Sequence, residues 1–340
     1  MGVKLQDIMP KRKINLSNLT NRSIAIDAHN ALYQFLSVIR GSNGVPLRNR
    51  RGKITSHLSG LFYRSINLME IGIKPIYVFD GEPPQLKKTE IDRRRAVKEQ
   101  AAKKYEQAIE IGDLEEARIH AQATSRLTEN MIKESIKLLN LMGIPNVHAP
   151  SEGEAQASYM SIKGDVWATG SQDFDSLLFG TPRLIRNLTI SGRRKLPRKK
   201  IYITISIELI ELNEALLHLN ITRRQLIALG MLVGTDFNPN GIKGIGPKTA
   251  LKLVKQFEDI DQLFEKFRDL GFPKEFREIE NIFLNPNVTP EYDIVWGEID
   301  SEGVIQFLCE DNDFSEERVK KALNRVSQWK KDDISLEKWF

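Results

Sequence analysis

Three times along this chain a short apolar, β-prone run stops on a carboxylate and gives way to a helix-forming stretch. Residues 23–27 (SIAID) end on Asp27, residues 75–80 (PIYVFD) end on Asp80, and residues 166–169 (VWAT) lead within a few positions to Asp173 and Asp175. Strands separated by helices favour parallel pairing. The pattern predicts an α/β fold with a mainly parallel central sheet flanked by helices, and a site along the carboxyl ends of the strands. A further acid pair stands in APSEGEAQ, where Ser151 reads as the N-cap of a helix. Glu152 and Glu154 then fall in its first turn, where negative charge is favoured.

Each acid alone also has an ordinary reading: a cap for Asp27, helix-start charges for Glu152 and Glu154, turn residues for Asp173 and Asp175. Repetition of one plan argues for a shared purpose. Gathered carboxylates repel one another and resist losing water, so they call for a cation. An all-oxygen donor set suits a hard divalent ion, magnesium first, which keeps several waters and rarely has a full protein cage.

Between the strands the chain alternates basic and helical stretches. Residues 41–53 (GSNGVPLRNRRGK) form a Gly-rich basic loop, and residues 55–71 read as a helix. From Lys87 to Arg95 five bases face two acids, and charge-rich helical sequence continues to about residue 130. So polar a segment cannot be core. It predicts a helical excursion over 87–130, two helices broken near Gly112, with Lys87 and Arg94 on one face beside the acids. Residues 131–148 return to an amphipathic helix and a strand. Residues 183–190 and 201–205 alternate as strands do and flank a basic loop, which predicts a hairpin or sheet edge.

A second dense stretch is GIKGIGPKTALKL, residues 241–253. Gly244 and Gly246 allow a tight turn between two helices, and backbone N–H groups there can hold a phosphate of any base sequence. Lys243 and Lys248 add charge. The stretch resembles a helix-hairpin-helix DNA-binding element over residues 233–256. The terminal ISLEKWF carries two aromatics after a polar run and reads as a docking peptide or a cap on the protein's own core.

Composition narrows the class. The net charge of +5 rests on 50 basic and 45 acidic residues, so a nucleic-acid preference must come from charge placement. Cys309 is the single cysteine, which excludes an internal disulfide and suits a reducing compartment. No run of about 18 apolar residues offers a membrane span. A soluble protein of the cytoplasm, associated with the nucleoid, is expected.

The stretches IAIDAHNALYQFL, TSHLSGLFYR, GIKPIYVFDGEPPQLK, APSEGEAQASYM, SQDFDSLLFG, LVGTDFNPNGIKGIGPKTAL and LEKWF, in this order, resemble the flap endonucleases, most closely those of archaea. The resemblance implies a PIN-like nuclease core with a helical arch, removal of 5′ single-stranded DNA flaps in replication and repair, and a related 5′-3′ exonuclease activity. It divides the chain into a nuclease domain over 1–326 and a clamp-binding tail over 327–340. Within the domain, 1–86 and 131–232 build the core, 87–130 the arch, 233–256 the hairpin element and 257–326 the closing helices.

The resemblance assigns Asp27, Asp80, Glu152 and Glu154 mainly to one magnesium, and Asp173, Asp175 and Asp236 to a second, with manganese as the expected substitute. Lys87 and Arg94 match a basic pair that steadies the scissile phosphate. Tyr33 matches a base-stacking aromatic, Gly2 an N-terminal glycine beside the active site, and Arg40 and Arg64 fall among DNA-binding positions. Lys243, Gly244, Gly246 and Lys248 match a hairpin that grips duplex through potassium. Leu336, Trp339 and Phe340 match a sliding-clamp motif, although Asp333 stands where a glutamine is usual. His29 departs from the family and is expected to pack rather than ligate. A monomer acting on flap DNA is implied. The alternatives are a sister nuclease for nicks, bubbles or junctions, and a clamp-recruited scaffold without catalysis.

Overall fold

The protein is described by a computed structural model, which covers residues 2–41, 45–111, 113, 116, 126–190, 192–195, 202–239, 241–257, 259–268 and 275–337. A seven-stranded sheet has the order β1-β9-β6-β5-β2-β3-β4, from strands β1 (Arg12–Ile14), β2 (Ser23–Asp27), β3 (Lys74–Phe79), β4 (Asn146–His148), β5 (Ala168–Gly170), β6 (Arg183–Arg186) and β9 (Ile207–Glu211). The five strands from β6 to β4 run parallel, as the strand–helix alternation predicts, while β9 is antiparallel to both β6 and β1. The chain steps outward from β2 through β3 to β4, then returns to the other side of β2 for β5 and β6. That reversal puts a topological switch point between β2 and β5, where open sheets leave a crevice at their carboxyl ends.

Helices cover both faces. On one face α1 (Ala28–Val38) buries Ala28, Ala31, Leu32, Phe35 and Leu36, one stripe at helical spacing. It packs with α2 (Ser56–Glu70), α4 (Glu129–Leu141) and the start of α13 (Glu316–Glu337) around Phe62, Tyr77, Phe79, Leu138 and Val319. On the other face α5 (Gly153–Lys163), α6 (Asp175–Leu178), α7 (Leu212–Leu219), α8 (Arg223–Val233) and α9 (Pro247–Val254) lie beside α10 (Ile260–Phe267) and α11 (Phe276–Leu284). Residues 285–300 cross as an extended strap, held where Gln156 donates to and accepts from the Thr289 backbone at 2.9 and 2.8 Å. Between β3 and β4 stands α3 (Lys88–Glu110), a single 23-residue helix that ends just short of the expected break.

Two expectations are corrected. Ser151 does not cap α5: Glu152 is the N-cap residue, one position later. Residues 183–190 do not pair with 201–205. Their strand part, β6, pairs with β9, while β8 (Tyr202–Ile205) pairs with β7 (Gly192–Lys195) in a separate two-stranded sheet. The turn at Asn187, with φ 64°, ends β6 early. Strands β1 and β9 went unread because one is three residues long and the other runs into a helix. Helix α13 runs through Glu337, so most of the expected tail over 327–340 is helical, with Leu336 on it and Trp339 and Phe340 outside the described residues. Among the described residues no helix is long and apolar enough to cross a membrane.

Candidate active site

The strand ends deliver their acids to one crevice. Asp27 closes β2 and caps α1, its Oδ1 accepting from the Asn30 backbone N–H at 2.9 Å, so the cap reading of this residue holds. Asp80 follows β3, and its Oδ1 accepts from the Gly153 N–H at 2.7 Å. A Cβ on Gly153 would lie 2.7 Å from that same oxygen, so a larger residue there would displace the Asp80 carboxylate. Glu154 is fixed from below by the hydroxyls of Ser171 and Ser176, both donating to its Oε1. Ser171 in turn accepts from the Asp173 N–H at 3.1 Å, tying one acid's support to the next.

Asp175 opens α6 and is buried, with Oδ1 accepting from the Val3 N–H at 2.8 Å. The N-terminal segment therefore packs onto the site. A Cβ on Gly2 would collide with the Asp175 carboxylate, which accounts for a glycine there. Asp236 comes from the turn after α8, shaped by Asn238, which takes the Thr235 hydroxyl at 2.7 Å and donates to the Met231 carbonyl at 2.6 Å. The turn carrying Asp173 is gripped by Arg186, which donates to the Gln172 carbonyl at 3.0 Å and lies 4.2 Å over the Phe174 ring.

Two cations from the start of α3, Lys87 just before it and Arg94 on it, enter this crevice. Lys87 pairs with Glu152 and stands 3.3 Å from Asp236 Oδ2. Arg94 pairs with Asp236 through one nitrogen and with Glu90 through another, at 2.6 Å. Glu90 is only 2% exposed and also holds Arg93, so it ties together the first turns of α3. Sequence reading treated it as an acid diluting a basic run. His29, expected to pack, does meet Phe79 edge-on, and its Nδ1 also accepts from the Asp80 N–H at 3.1 Å.

The electrostatics follow from burial and crowding. Burial raises the Asp27 carboxyl well above its ordinary range, with Asp80 and Asp173 pushing the same way against the Asn30 hydrogen bond. Glu154 is raised by burial, then by Asp173, Asp27 and Asp175. Asp175 is pushed up to about 7 by burial, then by Asp236 and Asp173. Glu152 is also raised by burial, although Lys87 offsets part of the shift. Burial works against the Lys87 charge, yet Glu152 and Asp236 outweigh it and hold the ammonium above its usual range. The charges of Asp80, Asp173 and Asp236 thus act on these four acids.

The crevice fits hard cations in chemistry: seven carboxylates, oxygen donors throughout, and excess negative charge that burial makes costly. Among the described residues no three His, Cys, Asp or Glu side chains converge as a ready-made cage. Magnesium usually keeps several waters and takes only one or two carboxylates directly.

The remaining predicted residues lie away from this ring. Tyr33 is exposed on α1 with the Lys98 ammonium 4.5 Å over its ring. Arg40 and Arg64 are half-buried, Arg40 donating to the Ser37 carbonyl at 3.0 Å. Gly244 sits at φ 84° and Gly246 caps α9, with Lys243 and Lys248 exposed on either side.

Residues 1–101 match the XPG N-terminal domain and residues 143–236 the XPG I-region. The chain is 55% identical to flap endonuclease 1 of Pyrococcus furiosus, over 100% of this chain and 99% of that protein. The chain belongs to the flap endonuclease family. A flap endonuclease is therefore a nuclease of DNA replication whose core is the sheet described above. Flap endonuclease 1 of Hyperthermus butylicus is 52% identical over 100% of this chain and 99% of its own length. The solved flap endonuclease-1 from Methanococcus jannaschii superposes with a TM-score of 0.77 at 45% identity, covering 98% of this chain and all of that one. The catalytic core of Rad2 in complex with a DNA substrate gives 0.71 at 25% identity, covering 96% of this chain and all of that one.

Proposed function

We propose that this flap endonuclease hydrolyses the phosphodiester at the base of 5′ DNA flaps with two divalent cations, magnesium first and manganese in its place, held by Asp27, Asp80, Glu152, Glu154, Asp173, Asp175 and Asp236. One observation carries the reading: seven acids from four strand ends and one turn meet at the switch point, and their burial is balanced only in part by Lys87 and Arg94. Bound there, such cations supply an activated water and charge stabilisation for the departing oxygen.

The chain's own groups do the rest. Lys87 and Arg94 hold positive charge at the mouth of the crevice, where a scissile phosphate gains negative charge during attack. Tyr33 offers an exposed ring for the neighbouring base. Lys243 and Lys248, with the N–H groups at Gly244 and Gly246, face a duplex backbone, with potassium as the ion expected at that turn. Gly2, Arg40 and Arg64 complete the DNA contacts. Leu336, Trp339 and Phe340 form the sliding-clamp contact of a monomeric enzyme.

The test is cleavage of a double-flap DNA beside single-stranded, nicked and bubble substrates, with and without magnesium, for the wild type and Asp173→Ala. Magnesium-dependent release of the flap, lost in the variant, is the expected result. Preference for a bubble or junction would move the substrate, and tight binding without cleavage would overturn the catalytic reading.

A further inference from the structure

The two acids that flank the switch point, Asp27 and Asp173, are joined by one neutral residue. Asn30 donates its backbone N–H to Asp27 Oδ1 at 2.9 Å and its side-chain Nδ2 to Asp173 Oδ2 at 3.0 Å. The same residue therefore sets where both carboxylates stand. Its amide is not free to turn. Asn30 Oδ1 accepts from Gln34 Nε2 at 2.7 Å, and Gln34 Oε1 accepts from the Thr189 hydroxyl at 2.7 Å.

The direction of this chain is self-consistent. Thr189 supplies a proton to the Gln34 carbonyl, which leaves the Gln34 amide nitrogen to donate to the Asn30 carbonyl. The Asn30 nitrogen is then left to donate, and Asp173 Oδ2 is the acceptor it meets. Three bonds run head to tail from the turn after β6, across one turn of α1, into the acid ring. A lysine in place of Asn30 would also hold Asp173, but it would cancel charge that a cation needs. An amide holds the carboxylate and leaves its charge in place.

We infer that Asn30, locked by Gln34 and Thr189, is a positioning residue that fixes the separation of Asp27 and Asp173 for a pair of divalent cations. The inference rests on the proposed metal-dependent reading of the crevice. Groups that orient metal ligands typically change metal affinity about 10- to 100-fold when removed. Gln34 acts one step further out, so its loss has a smaller effect in the same direction.

The experiment uses the metal-stripped full-length chain and Mn2+ alone, with free Mn2+ read by its paramagnetic resonance signal, and cleavage measured separately against Mn2+ concentration. In Asn30→Ala the half-saturating Mn2+ concentration is expected to rise about 10-fold or more, in both binding and cleavage, while kcat at saturating Mn2+ falls much less. Gln34→Leu is expected to show a rise of several-fold, and the double variant no more than Asn30→Ala alone, because both act through one bond. Binding of flap DNA without metal is expected to stay unchanged in all three.

Unchanged Mn2+ affinity in Asn30→Ala would overturn the inference, as would additive losses in the double variant or a fall in kcat with no change in metal dependence. Asp173→Asn separates the two readings. If it abolishes Mn2+ binding while Asn30→Ala does not weaken it, the metal site stands and the inference falls. If the wild type binds no Mn2+ in the crevice, both fall together.

Discussion

Single atoms decide how closely this crevice can gather its charges. At Gly153 a Cβ would stand 2.7 Å from Asp80 Oδ1 and 3.1 Å from the Val78 carbonyl oxygen, so the Asp80 carboxylate would have to leave its place. A displacement of about 1 Å costs about 100-fold in positioned catalysis. Gly153→Ala is therefore expected to lower kcat at least that far with duplex affinity nearly unchanged, and a normal rate would show that the turn has room. Glu90 acts through Arg94. Replacing it by Gln removes a charge-assisted partner worth about 1.5–3 kcal/mol, so Glu90→Gln is expected to slow cleavage about 10-fold or more while leaving metal affinity intact; single-turnover rates against metal titration would reveal either failure. The seven acids were legible because they recur at strand ends or in a quoted motif. Glu90, Asn30, Ser171 and Ser176 were not, because nothing in a lone Glu, Asn or Ser says which carboxylate or guanidinium it will meet after the chain has crossed the sheet. His29 was half legible: its packing on Phe79 follows from its place in an apolar stretch, whereas its bond to the Asp80 N–H depends on the register of β2 and β3.

At the level of elements, the order of strand and helix was readable and the pairing of neighbours was not. Alternation of apolar runs with helical stretches gave the parallel strands β2, β3 and β5, but residues 183–190 and 201–205 invited a hairpin that the structure splits between two sheets. The reason is physical: β6 is recruited by the edge of a sheet formed far away in sequence, and the Asn187 turn at φ 64° lets it go after four residues. Helix α9 was legible from GIGPK, since proline at the first helical position and glycine before it suit a helix start. That helix opens toward solvent with Lys243 and Lys248 exposed beside its first N–H groups. Each lysine that neutralises a phosphate releases about 0.9 counterion from B-DNA. The double substitution Lys243→Ala and Lys248→Ala is expected to reduce the slope of log affinity against log salt by about 2, without changing cleavage of a bound flap. An unchanged slope in a filter-binding titration would take the hairpin out of the duplex footprint.

For the molecule as a whole, the acid ring opposes folding, and pH reads out how strongly. Burial, with Asp236 and Asp173 beside it, raises Asp175 from 3.8 to about 7, and Asp27, Glu152 and Glu154 are displaced upward by burial and crowding. Between about pH 4 and 7 the folded protein keeps a proton on Asp175 that the unfolded chain has released. The native state then binds more protons, so stability falls as pH rises through this window and levels off above it. For Asp175 alone the gap corresponds to at most about 4 kcal/mol. Acids held low by partners, Glu90 by Arg93 and Arg94 against the cost of burial and Glu134 by His57 and Lys53 against the same cost, lose their contribution only at more acidic pH, below this window. The metal-stripped protein is therefore expected to have a higher Tm at pH 5 than at pH 8, and Asp175→Asn to shrink the difference. Divalent cations compete with protons for the same oxygens and stabilise the state that binds them. Magnesium should then raise Tm more at pH 8 than at pH 5, reversing the metal-free order if binding is tight. Thermal scans at the two pH values, with chelator and with magnesium, test this in four measurements. A metal-free Tm that rises with pH, or a magnesium increment equal at both, would mean that the carboxylates are not jointly strained and that the crevice does not hold its charge in wait for a cation.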